Sequence, residues 1–164
     1  MATETIQVSS FVPAPPMSVY VAWLSSKEHS AFTGGKAEID AKVGGLFTAW
    51  DGYITGSNRE LLEGRRIVQA WRTTEFPKES PDSLLTVYFD PEGEGTHLTL
   101  VHSEIPEGQG PGYHDGWLEY YVTPLQTYFK GGPAKKAAKK PVAKKAASKK
   151  PVAKKKPAKK KAKR

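Results

Sequence analysis

Cysteine is absent from this sequence, which excludes disulfide bonds and thiolate metal sites. Long apolar runs are also missing near the start: residues 19–24 form the longest, far short of the about 20 residues that a membrane-spanning helix needs. The opening residues MATETIQVSS lack the basic and apolar stretches of a signal peptide. We therefore expect a reducing cytoplasmic compartment and no membrane partner.

Acidic residues are missing from positions 131–164, which hold fifteen lysines and Arg164 for a net charge of +16. Residues 1–130 hold nine basic and all seventeen acidic residues, a net charge of −8. The overall charge of +8 therefore hides two blocks of opposite sign. We predict a folded domain over residues 1–130 and a lysine-rich tail over residues 131–164, joined at Gly131. About 130 residues are enough to bury one core.

The domain begins with a pattern of strand followed by helix. Ile6, Val8 and Phe11 alternate loosely as in a strand, and the prolines at 13, 15 and 16 end it. A helix is predicted to start at Pro16, and a second short helix is predicted over residues 26–32. Period-two patterns then predict five antiparallel strands over residues 46–50, 53–62, 66–72, 84–89 and 96–102. The pairs Gly44-Gly45, Asp51-Gly52 and Glu63-Gly64, which flank the first two of these strands, predict hairpin turns.

Residues 115–129 predict a long final helix with an aromatic side that contains Trp117, Tyr121 and Phe129. Pro124 interrupts this pattern, so we expect a kink or two shorter helices there. The aromatic side must be buried against the sheet.

Four sequence stretches carry a resemblance to a known superfamily. They are residues 47–56 (FTAWDGYITG), residues 67–72 (IVQAWR), residues 96–102 (THLTLVH) and the pair Gly116-Trp117. Together with the element order, they resemble the START-like helix-grip (SRPBCC) superfamily, and within it the activator-of-heat-shock-protein-ATPase homologue branch. The resemblance implies an α+β fold in which a curved antiparallel sheet wraps around a long C-terminal helix. It also implies a cavity that holds apolar ligands in various relatives, protein contacts in others, and a link to the heat-shock chaperone.

Large aromatic and polar residues on these elements are candidates for lining such a cavity. We expect most of the aromatics to be core, and some to face a ligand. Arg72, His102 and His114 are the polar groups expected near its mouth. The ligand-pocket candidates are Trp50, Trp71, Arg72, Tyr88, His102, Trp117 and Tyr121.

Catalysis has little support in the sequence. No HExxH, GxSxG or phosphate-binding glycine loop occurs, and the histidines at 29, 97, 102 and 114 lack metal-ligand spacing. His102 and Glu104, two residues apart on one strand, are the one acid-base pair that could share a face. We therefore predict a non-enzymatic protein with no cofactor and no metal, and keep a cyclase- or aromatase-like enzyme using Arg72 or His102 as an alternative.

The tail carries the clearest functional signal. Residues 139–145 (KKPVAKK) recur as residues 149–155, within a segment made almost wholly of Lys, Ala, Pro and Val. This composition predicts a disordered segment that resembles linker-histone tails. Lysines that neutralise phosphates release counterions, so we predict nonspecific, salt-sensitive binding to DNA or another polyanion. The residues predicted to bind are Lys135, Lys136, Lys139, Lys140, Lys144, Lys145, Lys149, Lys150, Lys154, Lys155, Lys156, Lys159, Lys160, Lys161, Lys163 and Arg164.

Other roles for the tail stay open. It could serve solubility, act as a nuclear address in a eukaryote, or fold back on its own acidic domain. The leading hypothesis is a domain that binds an apolar small ligand or a protein partner while the tail tethers it to DNA, with a nucleoid location. The alternative is a chaperone-associated stress protein.

Overall fold

The computed structural model describes residues 2–130. The lysine-rich tail and all of its predicted DNA-binding residues lie outside the described residues, so the tail and its boundary at Gly131 stay predictions. Within residues 2–130 the chain forms seven strands and a set of short helices. The strands are β1 (Thr3–Val12), β2 (Glu38–Ile39), β3 (Leu46–Ala49), β4 (Ile54–Leu62), β5 (Arg66–Thr73), β6 (Ser83–Glu92) and β7 (Gly95–Pro106). The helices are α1 (Pro16–Leu24), α2 (Ser26–Thr33), α3 (Gly110–Trp117) and α4 (Thr123–Phe129), with a π-helical segment (Leu118–Val122) between the last two.

All seven strands belong to one antiparallel sheet in the order β1-β7-β6-β5-β4-β3-β2. Alternate residues of each strand point to the same face, and one face is buried: Leu85, Val87 and Phe89 of β6 are inaccessible to solvent. The continuous helix from α3 to α4 packs on this face, and its Leu125 and Phe129 are equally buried. The predicted α+β helix-grip fold is confirmed.

Most predicted elements occur with shifted ends. The predicted loop over residues 90–95 shrinks to a tight turn, because β6 and β7 stay paired as far as Glu92 and Gly95. The last helix begins at Gly110 rather than near Asp115. The short edge strand β2 was not predicted, since two residues carry no periodic pattern. The predicted hairpin turns are confirmed at Gly44, Gly52 and Gly64, where φ is 84°, 89° and 71°.

Pro124 has the effect expected of a proline inside a helix. It lacks the N–H that would bond to the preceding turn, so the α-helical pattern cannot run through it. The chain widens into the π-helical segment just before it, where the N–H of Thr123 donates to the carbonyl of Leu118. Pro124 then occupies the first turn of α4, where no N–H is needed.

Gly56 in β4 lies where the sheet is most tightly packed. A Cβ at this position would overlap the Ala70 carbonyl oxygen and the Phe47 ring. We expect Gly56→Ala to lower the free energy of unfolding by about 1–3 kcal/mol, because the overlap forces the backbone apart. Urea denaturation of the variant and the unchanged protein measures the loss.

Gly112 in α3 supplies the matched control. An added Cβ there meets no atom within 4 Å, so Gly112→Ala should leave stability unchanged or raise it by about 0.4–1 kcal/mol. Equal stabilities for the two variants would contradict the close packing at Gly56.

Candidate functional site

The space between helix and sheet is the place where the superfamily resemblance implied a ligand cavity. In this chain side chains fill most of it: a cavity that lies there measures about 10 Å³, close to the volume of about 10–15 Å³ needed for one water molecule. Aromatic and aliphatic side chains of the core pack around it. The cavity is lined by Trp23, His29, Ile39, Phe47, Thr48, Ala49, Ile54, Gln69, Trp71, Trp117 and Tyr121.

A chain of hydrogen bonds runs through His102 at the centre of this interior. The Trp117 Nε1–H donates to His102 Nδ1 at 3.1 Å. An indole N–H can only donate, so Nδ1 is the acceptor and the ring proton sits on Nε2. Nε2–H then donates to Ser83 Oγ at 2.8 Å, and the Ser83 hydroxyl donates to the Trp71 carbonyl at 2.7 Å. Both ring nitrogens of His102 are therefore engaged.

Aromatic rings surround the imidazole of His102 on several sides. The Trp71 ring meets it edge to face with centroids 4.5 Å apart, and the Trp117 and Tyr113 rings lie 5.7 and 5.9 Å away. Such burial disfavours the charged imidazolium and lowers the pKa of His102 to about 3. His102 is thus a neutral link between the helix and the sheet.

His29 of α2 forms a second buried link. Its Nδ1 lies 2.9 Å from the Trp23 carbonyl and must donate to it, so Nε2 accepts from the Tyr121 hydroxyl at 3.0 Å. Burial lowers the pKa of His29 to about 4, against the opposing effect of the Trp23 carbonyl. The same burial raises the pKa of the Tyr121 hydroxyl.

Sequence reasoning did not single out His29 or Ser83 as members of this interior. Ser83 stands just before the run of alternating apolar residues in β6, and its partner His102 is nineteen positions away. Only the pairing of β6 with β7 brings them together. For His29, the one available signal was its helical spacing of three residues from Phe32, whose ring lies 5.0 Å from the imidazole.

Four of the predicted pocket residues come together here: Trp71, His102, Trp117 and Tyr121 are all buried in the interior. Their contacts are those of core residues, which is how most of the aromatics were interpreted from the sequence. Trp50 lies at the rim, on the turn after β3, with its ring against Gly35 and edge to face with Tyr120 at 5.7 Å. Its φ of 53° is unusual for a residue with a side chain.

Arg72 and Tyr88 lie elsewhere, which corrects their placement as pocket residues. Arg72 follows Trp71 in β5, so its side chain points to the opposite face, where it pairs with Asp82 at 2.9 Å. Tyr88 lies between the buried Val87 and Phe89 and also points outward. The strand alternation separates both from the interior.

The proposed pairing of His102 with Glu104 on one face is wrong. Glu104 is exposed and has a φ of 60°, at the point where the register between β1 and β7 shifts. This bulge turns the Glu104 side chain away from the buried His102.

An open cleft lies outside the core, between β1 and α3. It measures about 450 Å³ and is lined by Glu4, Thr5, Ile6, Pro111, His114 and Asp115. His114 is therefore at the mouth of a surface cleft and not of the interior. At one end of this cleft the Glu4 carboxylate accepts from the backbone N–H groups of Gly108 and Gly110, each at 2.7 Å.

The outer face of the sheet carries exposed apolar side chains. Leu46 of β3 is 72% exposed and Val43, just before it, is 62% exposed. By register, Leu46 lies in one row with Ser57, Ala70 and Leu84 of the next three strands. Among residues 2–130, no helix is long and apolar enough to cross a membrane.

A seven-stranded antiparallel sheet that grips a C-terminal helix, with a filled interior, defines a helix-grip domain of the α+β class. The chain belongs to the Activator of Hsp90 ATPase homolog 1-like protein family, whose profile matches residues 13–130.

Curated relatives and solved structures agree with this family. The chain is 28% identical over 116 residues to an activator of 90 kDa heat shock protein ATPase homolog from Dictyostelium discoideum, covering 70% of this chain and 30% of the relative. It is 27% identical over 117 residues to the Homo sapiens homolog 1, covering 71% and 34%. The crystal structure of an HSP90 activator from Plasmodium falciparum matches with a TM-score of 0.72 and 25% identity, covering 79% of this chain and 97% of that one. The chain spans about a third of the length of the curated relatives.

The two buried histidines make the stability of the domain depend on pH. The folded-state pKa values of His102 and His29 lie below the ordinary value of about 6.5, so the unfolded chain binds the protons more tightly. Their contribution to stability is present above pH 6.5 and is lost as the pH falls towards 4 and 3. Each histidine lowers the free energy of unfolding by about 1.4 kcal/mol per pH unit in that window. Urea denaturation between pH 7 and pH 4.5 measures this slope.

The variant His102→Gln isolates the contribution of one ring. It should be less stable at pH 7, because the hydrogen-bond chain is broken, and it should lose stability less steeply with falling pH. His114→Gln at the surface cleft is the control. A slope unchanged by His102→Gln would show that His102 is not held neutral in the folded protein.

Proposed function

We propose that this protein is a non-enzymatic, chaperone-associated binding module whose lysine-rich tail tethers it to DNA or another polyanion. The observation that carries the proposal is the filled interior of a domain from this family. Because the cavity beneath the helix measures only about 10 Å³, we expect partners to bind at the surface of the domain.

The state of the buried polar groups also favours binding over catalysis. A general base needs a nitrogen or oxygen free to reach a substrate proton. His102 has both nitrogens engaged within the core, and burial keeps its pKa near 3. Arg72, the other residue of the cyclase- or aromatase-like alternative, points away from the interior and pairs with Asp82.

The relatives supply the class of partner. The Dictyostelium and human relatives carry the name of activators of the 90 kDa heat shock protein ATPase, and the Plasmodium falciparum structure is that of an HSP90 activator. A chaperone of this class is accordingly the protein partner that we propose for the domain. Binding of a small apolar ligand is the alternative, and it would require the aromatic interior to open.

The outer face of the sheet is the surface proposed to meet the chaperone. Single exposed apolar side chains are common on protein surfaces, but Val43 and Leu46 are only three positions apart and both are mostly exposed. In the row that begins at Leu46, Leu84 is partly exposed, whereas Ala70 between them is buried. The exposed side chains of Val43 and Leu46 are therefore the apolar part of this face that a protein partner could cover.

The chaperone proposal is tested by binding of the full chain to a purified 90 kDa heat-shock chaperone, followed by calorimetry and by the chaperone ATPase rate. We expect binding, and we expect Leu46→Asp to weaken it, because a charge would be buried at the contact. Val21→Asp on α1, 43% exposed in the unchanged protein, is the control and should bind normally.

Two results would contradict this proposal at different levels. Absence of any binding would remove the chaperone as the partner. Normal binding by Leu46→Asp, with the variant folded, would place the contact on another surface.

The tail proposal is tested by comparing the full chain with a chain that ends at Lys130. Binding to unrelated DNA duplexes is measured across a salt series. We expect the full chain to bind without sequence preference, with log K falling against log salt at about −0.9 per phosphate contact. The shortened chain, with a net charge of −8, should not bind; equal binding by both chains would sink the tail as the DNA-binding element.

A further inference from the structure

The outer edge of β1 offers backbone hydrogen-bonding groups. β1 ends the sheet on one side, and within residues 2–130 no strand pairs with its outer edge. Gln126 Nε2 donates to the Phe11 carbonyl at 2.8 Å, so the backbone of Phe11 points to this edge. Because N–H and C=O groups alternate sides along an antiparallel strand, those of Ser9 and Gln7 point outward as well.

The hydrogen bonds of β6 and β7, the next strands of the sheet, give the same assignment of inward and outward residues in β1. The N–H of Phe89 in β6 donates to the Arg65 carbonyl, towards β5. The neighbouring Tyr88 therefore bonds to β7 through its partner Thr99, and residues such as Leu100 bond from β7 to β1. The even-numbered residues of β1 are thus used within the sheet, and the odd-numbered ones are left for an added strand.

A groove runs beside this edge, between β1 and the C-terminal helix. One end of it is the cleft of about 450 Å³, and at the other end Gln126 of the helix contacts Ser10 and Phe11 of β1. Neither β1 nor residues 110–129 contain a lysine or arginine, whereas Glu4, Asp115 and Glu119 are acidic. The groove therefore combines unpaired backbone groups with a net negative charge, which suits an extended basic segment.

The chain itself carries a basic segment, which follows Lys130 at the end of the helix that lies beside Phe11. The helix runs alongside β1 from the Glu4 end, where Gly110 lies, to the Phe11 end, where Gln126 lies. The fifteen steps from Asp115 to Lys130 advance about 22 Å along the helix. A returning extended strand covers that distance in about seven residues. Residues 134–140 (AKKAAKK) are thus within reach of the acidic side chains, after a reversal that Gly131 and Gly132 permit.

We propose that residues 134–140 of the tail dock in this groove as an extended segment antiparallel to β1. One lysine of each adjacent pair, 135–136 and 139–140, faces the acidic side chains, because alternate side chains of an extended segment point to opposite faces. The backbone of the segment pairs with Ser9 and Gln7. A second copy of the domain at this edge would bring further carboxylates to the groove, so it is a poorer occupant than the tail. Where the tail also binds polyanions, as proposed above, the two partners compete for the same lysines.

Amide exchange in the full chain, followed by NMR at low salt without nucleic acid, tests the docking. The Ser9 and Gln7 amides should be protected. Neutralising the near lysines should make these two amides exchange several-fold faster, while amides in the centre of the sheet stay unchanged. The near variant combines Lys135→Gln, Lys136→Gln, Lys139→Gln and Lys140→Gln.

A far variant removes the same charge from the end of the tail and should leave Ser9 and Gln7 protected. It combines Lys159→Gln, Lys160→Gln, Lys161→Gln and Lys163→Gln. A groove variant, Asp115→Asn with Glu119→Gln, should expose the two amides as the near variant does.

Three outcomes would overturn the proposal. Fast exchange of Ser9 and Gln7 in the unchanged protein would show an empty edge. Equal effects of the near and far variants would show a diffuse attraction without a docked segment. Protection that falls on dilution would assign the edge to a second copy. Because no polyanion is present, these outcomes are independent of whether the tail binds DNA.

Discussion

The hydrogen-bond chain through His102 is the constraint on which the interior of this domain depends. It connects Trp117 of the C-terminal helix to β7, β6 and β5 through one imidazole, one hydroxyl and one carbonyl. Each donor and acceptor in it is used once, so no buried polar group along it is left without a partner. These hydrogen bonds hold the helix close enough to the sheet for the indole and imidazole rings to pack in contact.

This depth decides what kind of protein the fold can be. A helix gripped at a greater distance would leave a cavity between itself and the sheet, as the superfamily resemblance implied. Here the aromatic rings fill that space, and the second link from His29 to Tyr121 secures α2 over it. Recognition is therefore proposed to take place at the surface of the domain, on the outer sheet face and at the edge of β1.

Alternating patterns predicted six of the seven strands, and a proline predicted the interruption of the last helix at Pro124. These features depend on residues close together in sequence, so local reasoning reaches them. Three residues were placed wrongly because their positions depend on distant parts of the chain. The placement of Arg72 and Tyr88 depends on which alternate residues of their strands face the core. The placement of Glu104 depends on the bulge between β7 and β1, which can be seen only when the two strands are paired.

The sequence by itself determined the fold class, the separation of the charges into an acidic and a lysine-rich block, and the family resemblance, because composition, periodicity and short motifs carry that information. Only the tertiary structure decided that His102 is a structural link, that Ser83 is its partner, and that the interior is filled. Those properties depend on contacts between residues far apart in the chain, such as Ser10 with Gln126. The register of the strands and the depth of the helix create these contacts, and neither is written in any local stretch of sequence.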